Sequence, residues 1–182
     1  MAVGASLYDF AHRRTPGRDV ITARRRGGPG VLGRLTIAPG YPLDATIRAV
    51  AVDGREAPFE VKREGDIQRP EVPVEGAGAK VEVAIRYTPG SDAYARAEAP
   101  AAGARSEGLR ILRSRAEGGA LVLTLEGLGG RSYPLRVRSP RRVAGAPDAT
   151  VRAAAPGEFD VEVAFDGPVG TYVRRKVVLP LR

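Results

Sequence analysis

The chain has 182 residues, 43% of them hydrophobic, enough for one large domain or two small ones with a buried core. It has no cysteine, which excludes disulfides, thiolate nucleophiles and cysteine-based zinc sites. The formal charge is +8, yet 26 of the 29 basic residues are arginine, as expected of a GC-rich genome that also favours Ala, Gly and Pro; the surplus is local, since Arg13, Arg14, Arg18, Arg24, Arg25, Arg26 and Arg34 face only Asp19 between residues 11 and 34.

In chain order, short segments with a two-residue apolar beat succeed one another, separated by Gly and Pro. The first half predicts strands over Ser6 to Ala11, Asp19 to Arg25, Arg34 to Ala38, Thr46 to Val52, Pro58 to Arg63, Ile67 to Val74 and Ala79 to Tyr87. Asp53-Gly54 is a hairpin signal, because a two-residue type I′ turn needs positive φ at both positions. Pro70 and Pro73 remove ladder donors, so the sixth segment is expected at an edge or broken. Residues 91–105, rich in Ala, Gly and Pro, read as a linker between an N-terminal half, 1–90, and a C-terminal half, 106–182. The second half predicts strands over Leu109 to Arg115, Ala120 to Glu126, Tyr133 to Arg138, Thr150 to Ala154, Glu158 to Phe165 and Thr171 to Leu181. Phe159, Val161, Val163 and Phe165 alternate with Asp160, Glu162 and Ala164, and the Leu121 to Leu125 run is apolar on both faces apart from Thr124, which marks a central strand. No apolar stripe at helical spacing competes. The fold class that follows is all-β, an antiparallel β-sandwich, built as one large sandwich or two small sandwich subdomains.

The core expected from alternation comprises Leu35, Ile37, Val50, Val52, Val81, Val83, Ile85, Leu121, Leu123, Leu125, Leu135, Val137, Phe159, Val161, Val163, Phe165, Val177 and Leu179. No run reaches the ~18 apolar residues of a membrane span. Met1 to Phe10 lack the pattern of an export signal, and the compartment is left open.

Chemistry is sparse. His12 is the only histidine, followed by Arg13 and Arg14, and reads as a solvated strand-end residue rather than a general base or metal ligand. No serine sits in a G-x-S-x-G elbow, and the glycine-rich stretches lack the Lys-Ser/Thr pair of a phosphate loop. Asp160 and Glu162 share a strand face, where alternation itself demands polar residues. No catalytic, cofactor-binding or metal-binding residue is therefore assigned. Two surfaces are candidates: Arg24, Arg25, Arg26, Arg136, Arg138, Arg141 and Arg142 for a polyanion, and Tyr8, Tyr41, Tyr94 and Tyr172 for stacking against a glycan. Nucleic acid is the less favoured polyanion, because the tyrosines and phenylalanines fall mostly on core-like positions and leave few stacking platforms.

Four stretches, Leu35 to Val61, Gly65 to Val74, Lys80 to Gly90 and Ser106 to Val137, resemble the β-rich C-terminal region of bacterial glycoside-hydrolase-like proteins with an (α/α)6 toroid, including glycogen-debranching and glucoamylase-like members. In such proteins the cleaving acids lie in the toroid, so the resemblance transfers no catalytic residue. It implies a non-catalytic accessory module, structural or glycan-presenting, with an upstream catalytic domain or a separate hydrolase chain as partner and carbohydrate as candidate ligand. On that reading Met1 lies near a former domain junction. Polyanion binding through the arginines, or a small glycosidase with cross-strand carboxylates, are the alternatives.

Overall fold

The computed structural model describes residues 2–3, 6–28, 32–77, 79–95, 103 and 107–182. Among them there is no helix; the chain is all-β, with antiparallel sheets of sandwich type. It divides into two compact units. One comprises Met1–Tyr41 and Ala45–Pro89, the other Pro42–Asp44 and Gly90–Arg182.

The strands of the first half are β1 (Ala2–Val3), β2 (Ser6–Thr15), β3 (Arg18–Gly27), β4 (Leu32–Ile37), β5 (Tyr41–Pro42), β6 (Thr46–Val52), β7 (Arg55–Glu56), β8 (Glu60–Glu64), β9 (Ile67–Ala77) and β10 (Lys80–Thr88). One sheet runs β1-β2-β3-β10-β6-β7; the other runs β4-β9-β5, with β8 also on β9. The core of this unit is Tyr8, Ala23, Ile37, Tyr41, Ala45, Val50, Val72, Val74, Val81, Val83 and Ile85. Asp53 (φ 48°) and Gly54 (φ 78°) both adopt positive φ in the turn between β6 and β7, as the Asp-Gly dipeptide predicts. The proline-containing strand differs from expectation. Over 67–71 it pairs with β8 and over 72–77 with β4, and Val72 and Val74 are core residues. A proline forfeits one donor toward one neighbour, and a strand that changes partner midway tolerates two such losses.

The second half contains β11 (Asp92–Tyr94), β12 (Arg110–Glu117), β13 (Ala120–Leu128), β14 (Arg131–Arg138), β15 (Ala149–Ala155), β16 (Glu158–Phe165) and β17 (Tyr172–Pro180). They form the sheets β11-β14-β16-β15 and β12-β13-β17. Leu121, Leu123 and Leu125 of the central β13 are fully buried, as are Val137, Val163 and Leu179; each such side chain contributes about 1.5–3 kcal/mol through burial. Tyr133 joins this core because its hydroxyl is satisfied. It donates to the Glu107 carbonyl at 3.0 Å and accepts from the Leu128 amide at 3.1 Å. Of the stretch 91–105, Asp92–Tyr94 form β11 on the edge of β14, and residues 96–102 and 104–106 lie outside the described residues.

The core expected from alternation is buried at fifteen of its eighteen positions. Leu35, Val52 and Phe159 are half-buried and pack against it.

Candidate anion-binding face

Alternation along β3 sends Asp19, Ile21, Ala23 and Arg25 toward the core side and Arg18, Val20, Thr22, Arg24 and Arg26 to the opposite, outer face. Strand register then decides which side chains meet. On the outer face Thr15, Arg18, Arg86 and Ala49 form one cross-strand row over β2, β3, β10 and β6, and Arg13, Val20, Ala84 and Ala51 form the next. Arg18 and Arg86 are thus directly opposite each other with no carboxylate in their row, and the second row ends in Glu56 on the edge strand β7. Arg48, at the register shift of β6, holds its guanidinium beside Thr88, donating from Nε to the hydroxyl at 3.0 Å. Farther along, Ala11, Thr22 and Glu82 share a row, and Asp9, Arg24 and Lys80 the one after. Arg13, Arg18, Arg24 and Arg86 are exposed and have no ion pair among the described residues. Arg26 Nε reaches Asp9 at 3.2 Å, and Lys80 Nζ stands 4.0 Å from Glu82. Like charges directly across a sheet are destabilising. Here two such pairs, Arg18 with Arg86 and Arg24 with Lys80, are kept over a floor of Ala, Val and Thr.

The core side of the same hairpin carries a different cluster. The turn at Pro16-Gly17 sets Arg14 opposite Asp19, and places His12 two residues back on the same face. The Asp19 carboxylate is completely buried. Its Oδ2 accepts from Arg14 Nε and Nη2 at 3.0 and 2.7 Å and from the Tyr41 hydroxyl at 2.7 Å, while Oδ1 meets His12 Nε2 at 2.5 Å. Arg14 also covers the Tyr41 ring at 4.6 Å. Burial pushes the Tyr41 phenol up, and the hydrogen bond to Asp19 and its negative charge push it further. For Arg14 burial acts downward, but the bond to Asp19 and its charge outweigh it and the guanidinium is held above its ordinary value. The reading of His12 as merely solvated is therefore corrected: it is an Asp19 partner with a half-exposed ring. The legible signal was a carboxylate at an inward position of an alternating strand. A carboxylate saturated by three side chains anchors its surroundings; among the described residues no group of three His, Cys, Asp or Glu could hold a metal ion.

The other arginines expected at a polyanion face are distributed differently. Arg24 and Arg26 lie on the outer face of the first unit, and Arg25 lies on the core side, half-buried. Arg136, Arg138, Arg141 and Arg142 belong to the second unit, and the first three are neutralised within it. Arg136 donates to Asp160 from Nε and Nη2 at 2.9 and 2.8 Å, Arg138 Nε to Glu158 at 3.2 Å, and Arg141 Nη2 to Asp44 at 2.9 Å. Asp160 holds the Arg136 guanidinium above its ordinary value. Arg142 is exposed, its backbone joined to Arg182.

Two of the four stacking tyrosines are corrected by burial. Tyr8 and Tyr41 are each 1% exposed and belong to the core, since an aromatic ring on an inward position is the largest apolar surface a strand can bury. Tyr94 and Tyr172 are half-buried, and each has a ring face covered by a guanidinium, Arg138 at 4.7 Å and Arg110 at 4.4 Å. Tyr8 and Tyr41 therefore offer no open face to a sugar.

Asp160 and Glu162 line a shallow depression with Arg136, Arg152, Thr150 and Pro134. They rise side by side from one strand, and Asp160 is engaged by Arg136. Glycoside hydrolysis needs two carboxyls flanking the scissile bond, and here one of the pair, Asp160, is already held by two donors of Arg136. No protein-family model and no curated protein matches the chain.

Proposed function

We propose that the chain is a non-catalytic accessory β-sandwich module that holds a polyanion on the outer face of the sheet β1-β2-β3-β10-β6-β7. The observation that carries this reading is the Arg18–Arg86 cross-strand pair, flanked by Arg13 and Arg48, with no carboxylate in its row and, in the next, only Glu56 at the far edge on β7. Guanidinium groups present planar forks suited to sulfate, phosphate and carboxylate. The resemblance to the C-terminal region of glycoside-hydrolase-like proteins supplies the partner for the accessory role, a catalytic domain on the same or another chain.

Fluorescence anisotropy with labelled heparin tests the reading. Binding is expected at low ionic strength and should weaken steeply with added salt, because each neutralised anion releases a counterion. The Arg18→Glu/Arg86→Glu double substitution should remove most of the affinity and flatten the salt dependence. Arg136→Gln, which alters a cation already neutralised by its own unit, should leave both unchanged. Absence of binding at low salt, or equal loss from both variants, overturns the reading.

A further inference from the structure

We infer that the ligand of this face is a linear acidic polysaccharide lying along β3 and touching two cationic ends at once, an inference that rests on the polyanion reading above. Two like-charge cross-strand pairs stand on β3 and β10: Arg18 opposite Arg86, and Arg24 opposite Lys80. Six residues of extended chain separate Arg18 from Arg24 on β3, a span of about 20 Å. Arg13 and Arg48 adjoin the first pair and Arg26 the second, where Asp9 stands opposite Arg24 and 3.2 Å from Arg26, so the second end keeps three cations against one carboxylate and the middle row carries Glu82. A small anion can engage one end only. A chain long enough to reach both gains the second contact at high effective concentration.

The surface between the ends selects among polymers. Its side chains are Ala11, Val20, Thr22, Glu82 and Ala84, and no aromatic ring occupies an outer position of these rows. Bases of a single-stranded nucleic acid would find nothing to stack on. A polyphosphate, charged at every unit, would set a negative group over the Glu82 carboxylate. A polysaccharide spaces its sulfates or carboxylates with hydroxyl-bearing rings, and the Glu82 carboxylate and Thr22 hydroxyl in the middle row are acceptors for those hydroxyls.

Heparin oligosaccharides graded from disaccharide to decasaccharide provide the test, with titration of the full chain at fixed low salt. Affinity should rise by a step on the order of 100-fold once the oligosaccharide spans about 20 Å. Lys80→Glu and Arg86→Glu should each erase that step, because either variant leaves only one cationic end for an oligosaccharide of any length. Both variants exchange a like-charge pair for an opposite-charge pair, and thermal melting checks that each stays folded. Affinity that climbs smoothly with charge, with no step removed by Lys80→Glu, overturns the two-ended inference while salt-dependent binding leaves the polyanion reading standing. Tighter binding of polyphosphate or oligo(dT) of matched length overturns the polysaccharide assignment. No binding of any heparin length removes the polyanion reading itself.

Discussion

Among the described residues Asp19 is the one carboxylate that the first unit buries completely, and the energetics of that unit turn on its partners. Removing a buried charge leaves its companions uncompensated, which costs more than the pair ever contributed. Asp19→Asn is expected to destabilise the protein by about 3 kcal/mol, the low end of the usual range, because Arg14 and His12 still reach water. Urea unfolding monitored by circular dichroism measures it; a loss within error of zero would mean that the network is ornamental. Tyr41 adds an alkaline signature. Its folded pKa is raised, so the folded state binds the phenolic proton more tightly than the unfolded chain. The stability it contributes is fully present below its unfolded value of about pH 10 and is lost as pH rises toward the folded value. Tyr41→Phe should lower the urea midpoint at neutral pH and show a shallower decline above about pH 10 than the parent chain. Parallel alkaline slopes in the two proteins would reject Tyr41 as the titrating group.

At the scale of the strand, the two-residue beat carried most of the information. All thirteen strands read from alternation are present, and the four that were not read, β1, β5, β7 and β11, span two or three residues each. Such short pieces contain too few side chains to show a period, and they exist because a neighbour supplies the ladder. The same limit explains β9. Its prolines argue against a central strand locally, but Val72 and Val74 face the core and pairing passes from β8 to β4 along its length. For β16 the local and tertiary signals agree, and Val163 is fully buried between Tyr133 on β14 and Ala149 on β15. Val163→Asp would bury an unpaired carboxylate at a cost of several kcal/mol, comparable to the whole net stability of a domain. Cooperative melting should vanish at room temperature. A normal melting curve would remove β16 from the core.

Across the whole molecule the two units treat their arginines differently. In the second unit cations and acids meet across neighbouring strands, where Glu126 engages Arg110 and Arg174 and Arg136 meets Asp160 and Glu158, and along one strand, where Arg115 meets Glu117. Exposed pairs of this kind contribute only about 0–1 kcal/mol each, yet they cancel the field a polyanion would feel. In the first unit the core side balances Arg14 against Asp19, and the outer face of the larger sheet keeps Arg13, Arg18, Arg24 and Arg86 exposed. The net +8 divides equally between the two units, so what sets the outer face of the first apart is the placement of its arginines and not a larger charge, and the heparin comparison of Arg18→Glu/Arg86→Glu with Arg136→Gln tests whether that placement matters.

Strand identity, turn positions and the inward side of each strand follow from residues within a few positions of one another, because the pleat imposes a period of two on any extended chain. These were legible in the order of the amino acids, as was the clustering of arginines between residues 11 and 34. Which arginines are neutralised was not. That depends on which strand lies beside which and in what register, so that Arg136 finds Asp160 from 24 positions away while Arg18 finds Arg86. Charge neutralisation is a property of neighbours in space, and long-range pairing between strands is what brings such neighbours together.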